Sequence, residues 1–176
     1  MTLTEREQRL HRVTKLDAKT LVILKEGVSL EAGLSQPLAD VMYQTVSDRL
    51  DLADEFMGMA KALMRSRSDL ARPAIARFYY AMYHSMRAVA YQYFEGDDFE
   101  AHTTLSVKGV PTDFPNNAVA KNDLKEARTL RNEADYDQYP LNRAYFRTQA
   151  KTLQPTASAF VQTARTYVRS KGNPYA

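Results

Sequence analysis

Arg77, Tyr80, His84 and Arg87 follow one another at intervals of three and four, so one helix face carries two cations, a phenol and an imidazole. On an otherwise apolar segment such a stripe marks a buried polar seam or a cleft. The chemistry these groups offer is phosphate binding by guanidinium and proton transfer by imidazole. Arg77 needs a carboxylate or a bound phosphate, because an unpaired buried charge is costly. A second constellation lies downstream at Arg131-Asn132-Glu133-Ala134-Asp135-Tyr136. Arg131 and Asp135 are four apart and can form a solvated ion pair of small value. If Arg131 instead faces the earlier helix, it meets the Arg77–Tyr80–His84 face. Asp135 then fixes the arginine and Tyr136 packs at the helix end, or both touch a ligand. His102, beside Thr103 and Thr104, is either a contact residue or simply solvated, and His84 also reads as a satisfied core histidine.

Other chemistries find no residues. The chain has no cysteine and only three histidines, at no zinc-type spacing, so no metal site is expected. Asp97 and Asp98 are adjacent but lack the alternation of a calcium loop. There is no glycine-rich phosphate loop and no Gly-x-Ser-x-Gly elbow, and no cofactor is expected.

The elements that must position these residues all read with helical period. Glu5 to Lys25 carries apolar residues at mixed spacings, with Asp17 placed to cap a second short helix; Gly27 to Gln36 reads as a connector. Ser35 and Pro37 are a start signal for a long amphipathic helix ending near Arg67, striped by Leu38, Met42, Val46, Leu50, Ala53, Met57, Ala60 and Met64. The segment from about Asp69–Pro73 to Phe94, stopped by Gly96, is the most apolar and is the expected central helix. Gly96 to Pro115 reads as the one long irregular stretch. Asn116 or Asn117 caps a helix ending at Asp135–Asp137, and Asn142 caps the last, stopped by Gly172. Pro155 lies inside that last pattern and predicts a kink or a split.

These elements predict an all-α bundle of four to five helices running up and down (residues 37–172), with an N-terminal helical extension and connector (1–36) and a short tail (173–176). A chain of 176 residues that is 44% hydrophobic and 26% charged suffices for one core. Net charge is +3 and the pI near 9.0, compatible with a solvated surface or with a phosphate-binding face. The polar N-terminus reads as no signal peptide and no segment has the apolar length of a membrane span, so a cytoplasmic protein without membrane contact is expected.

Three stretches in order resemble the HEPN family of small helical-bundle domains: Arg77-Phe-Tyr-Tyr-Ala-Met-Tyr-His84, His102-Thr-Thr-Leu105, and Arg131-Asn-Glu-Ala-Asp-Tyr136. The resemblance covers about Leu50 to Phe160. It implies a bundle that often homodimerises, with motif arginines lining a shared cleft. It also implies metal-independent ribonuclease chemistry in many members, and pairing with a nucleotidyltransferase in toxin–antitoxin-type systems. The family's ribonuclease motif is Arg, a polar residue, a short spacer, then His. Here Arg131 and Asn132 fit, but Tyr136 stands where the histidine is expected, and a tyrosine of ordinary pKa, about 10, is a poor base. The expected function is binding of nucleotide or RNA phosphate through Arg77, Tyr80, Arg131, Asn132, Asp135 and Tyr136. Catalysis would require Arg131 with His84 or His102 as a non-standard proton-transfer group. A non-catalytic adaptor or dimerisation domain is the third reading.

Overall fold

The computed structural model describes residues 4–66 and 69–176. Among them are seven helices and no strand: α1 Glu5–Val13, α2 Ala18–Leu34, α3 Leu38–Arg65, α4 Ala71–Phe94, α5 His102–Lys108, α6 Asn117–Tyr136 and α7 Arg143–Ser170. Arg67, the expected end of the long helix, lies outside the described residues. The chain forms two compact units, Met1–Val41 and Met42–Ala176, so the division falls a few residues beyond the expected 36/37 boundary.

The first unit starts with a capping box. Thr4 Oγ1 accepts from Glu7 N at 3.3 Å while Glu7 Oε2 accepts from Thr4 N at 2.7 Å. Asp17 does restart the chain as a helix, accepting from Thr20 N at 2.8 Å. The expected connector from Gly27 to Gln36 is instead mostly helix. Each glycine costs about 1 kcal/mol in a helix interior, but the surrounding Val28, Leu30, Glu31, Ala32 and Leu34 propagate it, and α2 ends only when Ser35 turns left-handed at φ 51°. Pro37 then opens α3, its carbonyl accepting from Asp40 N and Val41 N.

The second unit is built around α4. Ile75, Phe78, Met82, Met86 and Val89 are fully buried, as an aromatic and aliphatic helix touched on several sides requires. Its most extensive contacts are with α7, then α6. Both α4 and α7 carry a fully buried alanine every seven residues, Ala74–Ala81–Ala88 and Ala150–Ala157–Ala164, the side-chain size that close helix approach demands. Val46, Leu50, Ala53 and Met57 of α3, and Ala120, Leu124 and Ala127 of α6, complete the core.

Three further local expectations are corrected. The stretch from Gly96 to Pro115 is not irregular throughout, since it contains α5, held by buried Leu105. Gly109 closes that turn at an ordinary φ of −83°; a Cβ there would lie 2.7 Å from Leu105 Cδ1 and 3.0 Å from Leu105 O, so only glycine fits. Neither Asn116 nor Asn117 caps α6 with its side chain; Asn116 is left-handed, and Asn117 Nδ2 donates to the carbonyls of Val110 and Pro111. Pro155 does not split α7, because both it and Lys151, whose carbonyl loses its donor, lie on the exposed side where water serves instead. Asn142 does cap α7, accepting from Ala144 N at 3.0 Å. The last four residues are packed down: buried Asn173 donates to Tyr43 O at 2.9 Å, and Ser47 Oγ donates to Tyr175 O at 2.8 Å.

Candidate functional site

Three helices bring the chemistry-bearing residues to one side of α4. Tyr80 is the meeting point. Arg131 of α6 donates from Nη2 to the Tyr80 hydroxyl at 2.8 Å, and its guanidinium stands 5.4 Å from the Tyr80 ring. The Tyr80 ring is 6.4 Å from that of His84, one turn on, and 6.3 Å from that of His102, which opens α5. Arg131 therefore faces α4 and also pairs with Asp135, Nε to Oδ2 2.9 Å. That pair is electrostatic rather than a good hydrogen bond: Nε is buried and no acceptor lies along its N–H. Nη1 donates to Asn132 Oδ1 at 3.1 Å. Tyr136 lies with its ring 5.0 Å from the same guanidinium, yet is 71% exposed.

The two histidines are held differently. His84 stacks on Phe56 of α3, centroids 5.2 Å apart and nearly parallel, with Tyr83 edge-on at 5.0 Å. Its Nδ1 is buried without a hydrogen-bond partner. Burial first, then the positive charges of Arg49 and Arg87 and neighbouring His102, push its pKa down to about 4. His102 shares a short hydrogen bond between Nδ1 and the Tyr79 hydroxyl, and its ring lies 4.2 Å from that of Tyr83. Burial, then Arg131, Arg128 and Arg87, lower its pKa as well. Both imidazoles are thus kept neutral among cations. Tyr79 is a poorer acid than free tyrosine because burial penalises the phenolate.

Arg77 does not join the Arg131 group. Its guanidinium sits 5.7 Å from the Phe56 ring, and it has no carboxylate partner among the described residues. Arg128, one turn before Arg131, likewise pairs with no described carboxylate. Sequence reading missed Arg49, Phe56, Tyr79, Tyr83 and Asp97 as site residues. Arg49 and Phe56 are seven apart on α3, a spacing that would have put them on one face, and Tyr79 and Tyr83 lie inside the Arg77–His84 stretch already singled out. Arg87 forks onto Asp97, Nε to Oδ1 3.1 Å with a close Nη2–Oδ2 contact, and Arg49 Nη2 approaches the same carboxylate at 3.4 Å.

The face therefore assembles Arg49, Arg87, Arg128 and Arg131 against Asp97 and Asp135, a local excess of positive charge around aromatic rings of which Tyr79 and Tyr83 are buried and Tyr80, His84 and His102 partly buried. It can hold phosphate oxygens, and the exposed Tyr136 ring can stack on a planar base. A groove of about 560 Å³ between α6 and α7 contains none of the sequence-predicted residues. It is lined by Asp123, Glu126 and Glu133 against a single Lys125, and carboxylates repel an anion, so the arginine face is the better candidate. No group of described His, Asp and Glu residues is arranged to hold a metal ion, and no described helix is long and apolar enough to cross a membrane.

Fold and site together define a class, an all-α helical-bundle domain with an arginine–tyrosine–histidine face. No protein-family model and no curated protein matches the chain.

Proposed function

We propose that the protein is a HEPN-like domain that binds nucleotide or RNA phosphate on the α4–α5–α6 face. It would work as a homodimer and with a nucleotidyltransferase-type partner. The observation that carries this reading is the hydrogen bond from Arg131 to Tyr80, with His102 beside the same ring. It joins the three stretches on which the family resemblance rests. Arg131 supplies the anchoring charge, Asn132 and Asp135 hold that guanidinium, and the exposed Tyr136 ring beside it offers a stacking surface.

The test is retention and cleavage of labelled single-stranded and structured RNA in EDTA. Wild type should retain RNA, with Arg131→Ala weakening retention by about tenfold or more, as loss of a charge-assisted contact does. Retention unchanged by Arg131→Ala would sink the reading. A ribonuclease reading is favoured by one specific feature: His102 stands beside Tyr80, which receives Arg131, and its imidazole is kept in the neutral form that a general base needs. It expects cleavage lost in Arg131→Ala and in His84→Ala or His102→Ala. If Arg131→Ala alters only stability or oligomeric state, the domain is an adaptor.

A further inference from the structure

The arginine pair at the far end of this face, Arg49 and Arg87, is bound to the protein's own Asp97. We propose that this pair is a second phosphate-binding position, which Asp97 fills in the free protein and yields to a polyphosphate or nucleic-acid backbone. The inference rests on the reading of the Arg131 face as a phosphate site, and extends it to a two-point site with a built-in competitor.

The geometry distinguishes host from guest. The cations come from the helical scaffold, one from α3 and one from α4, and their side chains are 21% and 11% exposed. The carboxylate comes from the segment that follows α4, after Glu95 has turned left-handed at φ 56°, and is 35% exposed. Arg87 presents Nε and Nη2 to two oxygens of one group, the fork that a phosphate accepts equally well. Its remaining nitrogen, Nη1, donates to the Tyr83 hydroxyl at 3.2 Å, and that hydroxyl donates to Glu100 O at 2.6 Å. Arg87 thus has an anchor that does not depend on Asp97. With Asp97 displaced, two neighbouring half-buried guanidiniums would lack a counter-ion, and an incoming anion would supply it.

The position is continuous with the first site. Arg87 holds Tyr83, the Tyr83 ring lies 4.2 Å from His102, and His102 neighbours Tyr80, which receives Arg131. Two guanidinium positions therefore flank one aromatic patch. That arrangement fits a ligand with more than one phosphate, rather than a single free carboxylate.

An internal competitor lowers apparent affinity by the fraction of molecules in which it has released its partner. Asp97→Asn removes the competing charge at an exposed position without disturbing the core. The experiment measures thermal stabilisation by inorganic pyrophosphate at constant ionic strength, and anisotropy of a fluorescent single-stranded RNA. The variants are wild type, Asp97→Asn, Asp97→Asn with Arg87→Gln, and Arg131→Ala. Asp97→Asn should half-saturate with pyrophosphate at about one tenth of the wild-type concentration, and the added Arg87→Gln should abolish that gain. If Asp97→Asn binds pyrophosphate no more tightly, or keeps its gain without Arg87, the proposal is overturned. Should Arg131→Ala lose RNA while Asp97→Asn changes nothing, the phosphate reading stands and only the second position falls. The converse result, a gain through Arg87 with no effect of Arg131→Ala, keeps the second position and discards the first. No response from any variant discards both.

Discussion

His84 shows how a single residue can carry both a structural and a chemical role. Its ring is sandwiched against Phe56 and edged by Tyr83, while Nδ1 finds no partner. Its pKa is about 4 in the folded protein against an ordinary 6.5. Because the folded value is depressed, the unfolded chain binds the proton first. The stabilisation is therefore complete above about pH 6.5 and is lost as pH falls from there toward 4. The shift taken at face value is worth about 3 kcal/mol; solvent reaching a half-exposed ring reduces this to about 1–2 kcal/mol. His102, shifted in the same direction, adds to the slope. His84→Phe keeps the stacked ring and removes the titration, so urea denaturation at pH 7.5 and pH 5.0 should show a smaller acid loss than in wild type. Equal losses would mean that His84 titrates in the native state as it does in the unfolded chain.

Among the elements, the C-terminus of α6 matters most, because it presents Arg131, Asp135 and Tyr136. Its last turn has no basic residue of its own to meet the exposed carbonyls. Arg72 of α4 supplies the missing charge. Its Nη1 donates to Ala134 O at 3.0 Å and Asp137 O at 2.8 Å, its Nη2 reaches Pro140 O at 3.4 Å, and its guanidinium covers the Phe146 ring at 3.9 Å. Arg72→Ala should cost about 2–3 kcal/mol in chemical denaturation and speed hydrogen exchange in residues 133–140. Arg72→Lys should recover part of the loss, because lysine restores the charge but not the planar fork. Unchanged exchange in that segment would show that the α6 end is held by something else. This device was not legible in sequence, since its acceptors are main-chain carbonyls about sixty residues away. The α4 stripe was legible, because three- and four-residue spacing alone puts Tyr80 and His84 on one face. The short α5 was missed for the opposite reason. Seven residues carry too little periodicity, and what fixes them is tertiary: the burial of Leu105. Arg77 was placed on the right helix face, but its neighbour proved to be Phe56 rather than Arg131.

At the largest scale, α2 is the element left least satisfied within its own unit, Met1–Val41. Val22, Ile23, Leu24, Val28, Leu30 and Leu34 surround the helix rather than forming a stripe, and they are 46–61% exposed. A helix apolar on all sides is normally enclosed, and this one is not long and apolar enough to cross a membrane. A second copy of the chain meets this requirement by symmetry, since each copy brings the same unsatisfied helix. Light scattering at micromolar concentration should give a mass near twice the 20.0 kDa of the chain. Ile23→Asp combined with Val28→Asp should halve it while leaving the helical circular dichroism of the bundle intact. A wild-type monomer would sink self-association and direct the search for a covering surface to a nucleotidyltransferase partner. A dimer that survives both substitutions would place its interface elsewhere and leave the apolar shell of α2 without an occupant.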